Sequence, residues 1–275
     1  MGAGMMGAEI ALCFAVSGFE TVMKETSLEL AVKGKARLAK VLDGAIKKGK
    51  FKDQDKEAAL ARIIPTDSYD LFEKVDLVIE AVYENLEVKK GILSEVDRIC
   101  KPKCIFASNT SSIPITQLAA PLKPERIGRF IGAHFFSPAF VMKLVEVIPG
   151  LETLEETVVY MMECCKNIGK TSIRVKDVTG FAVNRIVHAM LIEVLRLVEE
   201  GVATPEDIDR ACKLGLGHPV GPFALMDLTN NSLALQVQEI LYEAYGERFK
   251  PRPILKQKVH ANHLGRVTGK GWYVY

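Results

Sequence analysis

The sequence predicts an α/β fold, with a doubly wound sheet domain over residues 1–178 and an all-helical domain over residues 179–275. Three observations predict it. A glycine-rich loop at residues 2–7 runs directly into an apolar helical pattern. Short apolar runs then alternate with amphipathic stretches as far as Val175, which is how a parallel sheet covered by helices reads. After Asp177 the short runs stop and long helical patterns take over.

Apolar residues at helical spacing run from Met5 to Val16, and a short strand, Thr21–Met23, follows Gly18. A lysine-rich amphipathic helix is expected from Leu28 to about Lys48. Asp76–Val82 reads as a strand buried on both faces, and Leu86–Ile99 as the helix after it. Cys104–Ala107, Arg129–Phe135 and Val141–Val147 read as further strands. Thr153–Asn167 reads as helix and Thr171–Val175 as extended chain. A long helix is expected from Gly180 to about Glu200. Thr204-Pro205-Glu206-Asp207 starts another, with a capping threonine, a first-turn proline and then acids. Pro222–Tyr245 is expected to be largely helical. A doubly wound sheet places a central strand before its glycine loop, yet Met1 sits one residue before Gly2. The expectation is that the natural start lies upstream, with Met1 inside that strand.

Of the 275 residues, 48% are hydrophobic and 25% charged, a globular composition long enough for two cores. The net charge of +2 gives no reason to expect nucleic acid or an anionic membrane as partner. No apolar run approaches the roughly 18 residues of a membrane span. No basic region precedes an apolar run at the N-terminus, so no signal peptide is expected. Cys13, Cys100, Cys104, Cys164, Cys165 and Cys212 form no CxxC pair and are expected to be buried free thiols. A reducing cytoplasm fits, and no metal is expected. His188, His218, His260 and His263 show no metal-ligand spacing and read as structural or surface residues.

Residues 1–7, Met1-Gly2-Ala3-Gly4-Met5-Met6-Gly7, contain GxGxxG. Gly2, Gly4 and Gly7 allow a tight turn, close approach to a pyrophosphate and close helix packing, with the helix start at Met5 and Met6 facing the phosphates. Glu25 follows at the spacing of the acid that binds the adenosine ribose in a Rossmann-type domain. A carboxylate there repels a 2′-phosphate and favours NAD over NADP, although the neighbouring Lys24 weakens that repulsion.

Seven segments in one order carry a closer likeness. They are GAGMMG (2–7), EAVYENLEVKK (80–90), SNTSS (108–112), HFFSPAFVMKLVEV (134–147), DVTGFAVNR (177–185), GLGHPVGPF (215–223) and TGKGWYVY (268–275). In these the sequence resembles the 3-hydroxyacyl-CoA dehydrogenase family. The resemblance implies NAD-dependent, reversible oxidation of (S)-3-hydroxyacyl-CoA to 3-oxoacyl-CoA. The chemistry needs a base for the hydroxyl proton, and histidine suits neutral pH. His134 stands at the end of a strand. If residues 137–143 form a return loop, Glu146 lies beside it to fix its tautomer and support the imidazolium. The family pattern implies this pair at these positions. It assigns Ser111 to the reacting oxygen and Asn184 to substrate, where an amide donor stabilises an oxyanion in the reducing direction. Ser111 or Ser112 could equally cap a following helix. Glu84, Lys89 and Asn109 are implied on the cofactor side, and Lys48 near the CoA nucleotide phosphate.

Two departures from the family pattern stand out. Ser137 replaces the usual asparagine after His-Phe-Phe, so a thioester contact is expected to be lost or bridged by water. Thr229-Asn230-Asn231 replaces a glycine-bearing turn and is expected to reshape the acyl end of the pocket or the subunit interface. Apolar pairs Leu191-Ile192 and Val194-Leu195 point to a homodimer through the helical domain. The expected setting is fatty-acid oxidation or butanoate metabolism, alone or beside a hydratase partner. Two other readings remain open: a structural dinucleotide-binding protein with little turnover, and a related dehydrogenase of a free hydroxy acid.

Overall fold

Apolar runs of only four to six residues become the strands, and the amphipathic stretches between them become the covering helices. The computed structural model describes residues 1–275, which divide into two units, Met1–Val178 and Thr179–Tyr275.

The first unit runs α1 (Met5–Val16), β1 (Thr21–Lys24), α2 (Leu28–Lys47), α3 (Lys56–Ala61), β2 (Ile63–Thr66), β3 (Leu77–Glu80), α4 (Leu86–Ile99), β4 (Ile105–Ser108), α5 (Ile115–Ala119), α6 (Pro124–Ile127), β5 (Phe130–Phe135), β6 (Leu144–Pro149), α7 (Glu155–Asn167) and β7 (Thr171–Arg174). β1 and β2 pair in parallel, and β3 to β7 form a five-stranded sheet in chain order. Residues 1 and 2 bridge these two sheets. The Met1 amino group donates to the Ile79 carbonyl, Ala81 N–H donates to the Met1 carbonyl, and Gly2 N–H donates to the Lys24 carbonyl.

Two core clusters meet on α1. Ile10 and Cys13 pack with Ile105, Ile131, Val145 and Met161, while Ala8, Leu12 and Ala15 pack with Met23, Leu38, Leu42 and Ile63. A helix buried on both sides must be apolar all round, which is how Met5–Val16 reads.

The strand expected from Val141 begins at Leu144. Residues before it form a tight loop in which Val141 and Met142 N–H both donate to the Pro138 carbonyl. That loop is too short for a parallel crossover, which needs about a dozen residues or more, so β5 and β6 pair antiparallel within an otherwise parallel sheet. α3 and β2 fall in a polar segment with no readable period. α3 buries only Ala59, and β2 carries Pro65, which an edge strand tolerates.

The second unit runs α8 (Val183–Glu199), α9 (Pro205–Gly215), α10 (Pro222–Thr229), α11 (Asn231–Tyr245) and α12 (Pro253–His260). α8 starts three residues later than the pattern suggested, because Gly180 (φ 73°) and Phe181 (φ 46°) have left-handed backbones. The stretch 222–245 is largely helical as expected, divided by Asn230 (φ 90°) into α10 and α11, with the Asn230 side chain capping the second by accepting from Ser232 N–H. The Asp209 carboxylate accepts from Phe223 and Ala224 N–H at the start of α10. Asp227 gathers the tail, accepting from Asn231 Nδ2, the N–H groups of Trp272 and Tyr273, and the Tyr275 hydroxyl. Asn231 is fully buried in this clasp and accepts from Trp272 Nε1. No helix of either unit is long and apolar enough to cross a membrane.

Candidate active site

The site is built at the carboxyl edge of the sheet, where ligands of such folds bind. β5 and β6 are joined by the tight loop, and the resulting register sets His134 directly opposite Glu146. Directly opposed residues on antiparallel strands project to one face. His134 Nδ1 and Glu146 Oε2 stand 2.8 Å apart, with the imidazole 4% exposed and the carboxylate buried. The carboxylate accepts, so Nδ1 is the nitrogen that donates to it, and in the singly protonated tautomer this sets, Nε2 is the acceptor. Ser111 Oγ lies 3.0 Å from that nitrogen and donates to it. A carboxylate, an imidazole and a hydroxyl thus stand in line, with the imidazole oriented from behind.

Ser111 comes from the turn after β4. Asn109 Oδ1 accepts from Phe135 N–H at 2.8 Å, tying this turn to the strand that carries His134. Glu84 holds the same turn from the other side. Its Oε1 accepts from the Thr110 hydroxyl and from the N–H groups of Ser111 and Ser112. Burial works to raise the Glu84 pKa but is outweighed by the Lys89 charge and these donors, so the carboxyl stays below its ordinary range. Lys89 is 1% exposed, and its ammonium lies 2.7 Å from Glu80 and 3.1 Å from Glu84. Glu80 is fully buried and also accepts from the Ser108 hydroxyl. Sequence reading missed Glu80, Ser108 and Thr110. Two signals were available: a glutamate ending an otherwise apolar strand, and the place of all three in the segments 80–90 and 108–112 that carry the family likeness.

The glycine loop fits a dinucleotide phosphate. A Cβ on Gly2 would meet the Ala81 carbonyl oxygen at 2.6 Å, and one on Gly7 the Gly2 oxygen at 2.0 Å, so both packings require glycine. Gly4, the N-cap of α1, has open space where a Cβ would sit and no side-chain cap, leaving that end free for an anion. Glu25 reaches this loop and accepts from Ala3 N–H and Thr26 N–H. Burial pushes its pKa up, and these bonds with the Lys24 charge bring it below the usual value. Lys24 itself lies over the Tyr69 ring, 4.3 Å from its centre.

Three other predicted residues stand on other segments of the chain. Lys48 is exposed at the C-cap of α2. Ser137 is exposed in the loop between β5 and β6. Asn184 is half-buried as the second residue of α8, in the second unit.

Comparison with known proteins bears on both units. Residues 1–178 match the family model described as 3-hydroxyacyl-CoA dehydrogenase, NAD binding domain, and residues 180–275 match its C-terminal domain. The chain is 42% identical to the probable 3-hydroxybutyryl-CoA dehydrogenase of Bacillus subtilis, covering 100% of this chain and 95% of that protein. It is 38% identical to the mitochondrial hydroxyacyl-coenzyme A dehydrogenase of Sus scrofa, covering 100% of this chain and 90% of that protein. The crystal structure of (S)-3-hydroxybutyryl-CoA dehydrogenase from Ralstonia eutropha superposes with a TM-score of 0.94 at 45% identity, covering 100% of this chain and 96% of that one. With both family models tiling the chain and relatives matched over its full length, this protein belongs to the 3-hydroxyacyl-CoA dehydrogenase family.

Proposed function

We propose that this protein oxidises the 3-hydroxyl of (S)-3-hydroxyacyl-CoA thioesters to the ketone, reversibly, with NAD⁺ as co-substrate. The line Glu146–His134–Ser111, at 2.8 and 3.0 Å, carries the reading. NAD, when bound, supplies the hydride acceptor, and the loop of Gly2, Gly4, Met5, Met6 and Gly7 with Glu25 would hold it.

His134 Nε2 takes the proton of the substrate hydroxyl, and Glu146 steadies the imidazolium that results. The Ser111 hydroxyl turns from Nε2 to the reacting oxygen once substrate enters. In the reducing direction the imidazolium returns the proton. Asn184 supplies an amide donor to the reacting oxygen, and Lys48 meets the CoA nucleotide phosphate as a mobile cation. Lys89 acts through the carboxylates it pairs with, since its ammonium is enclosed by Glu80 and Glu84.

The preferred substrate is a short thioester such as 3-hydroxybutyryl-CoA, in fatty-acid or butanoate metabolism in the cytoplasm. Leu191, Ile192, Val194 and Leu195 are buried in the second unit's own core and offer no face to a partner, but exposed Ile186, Leu214, Leu216 and Leu228 support a homodimer through that unit, which light scattering at working concentration tests. The deciding assay follows NADH at 340 nm with 3-hydroxybutyryl-CoA and either NAD⁺ or NADP⁺. Turnover with NAD⁺ is expected. Activity on free 3-hydroxybutyrate without activity on the thioester would overturn the reading.

A further inference from the structure

Glu84 is committed to the protein more heavily than a ligand-binding carboxylate needs to be. One of its oxygens, Oε1, takes four donors from three consecutive residues. These are the Thr110 hydroxyl at 2.5 Å, Ser111 N–H at 2.9 Å, and Ser112 N–H and its hydroxyl, each at 3.1 Å. A carboxylate oxygen offers about two lone pairs, so Oε1 is saturated. The other oxygen faces Lys89.

Lys89 in turn pairs with Glu80, whose second oxygen accepts from Ser108 Oγ at 2.6 Å, and Thr110 N–H reaches that same hydroxyl at 3.3 Å. The turn of residues 108–112 is therefore gripped at both ends by two carboxylates that share one enclosed ammonium. What the grip leaves free is the Ser111 side chain, 3.0 Å from His134 Nε2.

We propose that Glu84 is a positioning residue for the reaction. It sets the backbone of residues 110–112 so that the Ser111 hydroxyl stays against His134, and it serves turnover rather than dinucleotide affinity. This rests on the dehydrogenase reading above. Lys89 and Glu80 hold Glu84 in place, and a charge-assisted network of this kind acts as one unit.

The test is a double-mutant cycle of Glu84→Gln and Ser111→Ala, with kcat, KM and the dissociation constant of NADH measured by its fluorescence. In Glu84→Gln, kcat is expected to fall about 10- to 100-fold while NADH binds within about threefold of wild type. Ser111→Ala is expected to cost less than about threefold more in that background, because its hydroxyl is already misplaced. Fully additive losses would overturn the proposal, as would NADH binding weakened by the same factor as kcat/KM. A merely structural glutamate would lower Tm and leave the cost of Ser111→Ala unchanged.

If Glu84→Gln does not fold, the pair Thr110→Val and Ser112→Ala removes two side-chain donors and leaves the carboxylate intact. The same loss of kcat at constant NADH affinity is then expected. The ring nitrogens of His134, followed by ¹⁵N NMR and assigned with His134→Gln, read the Ser111 contact without turnover. A shift of the Nε2 signal in Glu84→Gln supports the proposal even if no thioester is oxidised, and an unmoved signal overturns it.

Discussion

An imidazole with two free nitrogens is a poor base until something decides which one holds the proton. Here the buried Glu146 carboxylate decides it, and Nε2 is the nitrogen left to work. Replacing His134 with glutamine is expected to lower kcat at least ~100-fold, the usual worth of a positioned general base. Wild-type turnover in that variant would end its catalytic role. Glu146→Gln keeps the shape but loses the charge and presents an amide in its place, and a fall in kcat of about 10²- to 10⁴-fold is expected. The pH profile of kcat/KM for alcohol oxidation checks it, since the acidic limb, on which the base becomes protonated, should move with the imidazole. The pairing of 134 with 146 was legible because both residues stand equally far from Phe140, so a return loop there brings them together. The Glu84 clamp was not legible, because its partners lie 26 to 28 positions away and their donors are hydroxyls and backbone N–H groups.

Elements with a clean period were read correctly, and those without one were not. α4 came out at its predicted bounds, Leu86–Ile99, because one apolar stripe and an Asn85 cap mark it. β2 was invisible, since it is only four residues long, shows no alternation, and has Pro65 interrupting its β-branched residues. The break at Asn230 falls in the Thr229-Asn230-Asn231 segment, which stands where the family pattern has a glycine-bearing turn, and an asparagine at positive φ takes the place of the glycine there. Asn230→Ala is expected to destabilise the second unit by about 1–3 kcal/mol, from the lost cap and the strained backbone together. Asn230→Gly should cost less, and urea unfolding of both variants measures the difference.

At the amino end of β4 a different device holds α4. Arg126 is 1% exposed, pairs with Asp97, and donates to the carbonyls of Cys100, Lys101, Pro102 and Cys104. Lysine has no planar fork to serve so many acceptors, so Arg126→Lys is expected to cost about 3 kcal/mol or more. It should leave kcat unchanged, because this cluster sits at the opposite end of β4 from Ser111.

On the scale of the whole chain, acid sensitivity should be set in the second unit. His188 on α8 is 7% exposed, its Nδ1 has no partner, and burial pushes its pKa down from 6.5 to about 4. The unfolded chain therefore binds more protons between those values. Stability from the neutral, buried ring is complete above about pH 6.5 and is lost as pH falls toward 4. Between pH 7 and pH 5 the loss should be about 2 kcal/mol. His188→Leu should flatten that slope, read as urea midpoints at the two pH values. An unchanged slope would show that other groups govern the acid limb.

The tail is fastened chiefly on one buried carboxylate, Asp227. Tyr275 is half-exposed and gives its hydroxyl to Asp227 at 3.2 Å and its N–H to the Gly269 carbonyl at 2.9 Å, so an exopeptidase clipping that residue removes surface bonds but no buried apolar side chain. Removing Tyr273 takes away an N–H on the same carboxylate and a hydroxyl on Asp209. Losing Trp272 strips the indole from Phe223, 4.7 Å away, and leaves Asn231 and Asp227 buried with too few donors. Trimming from this end should thus be tolerated for two residues and ruinous by four.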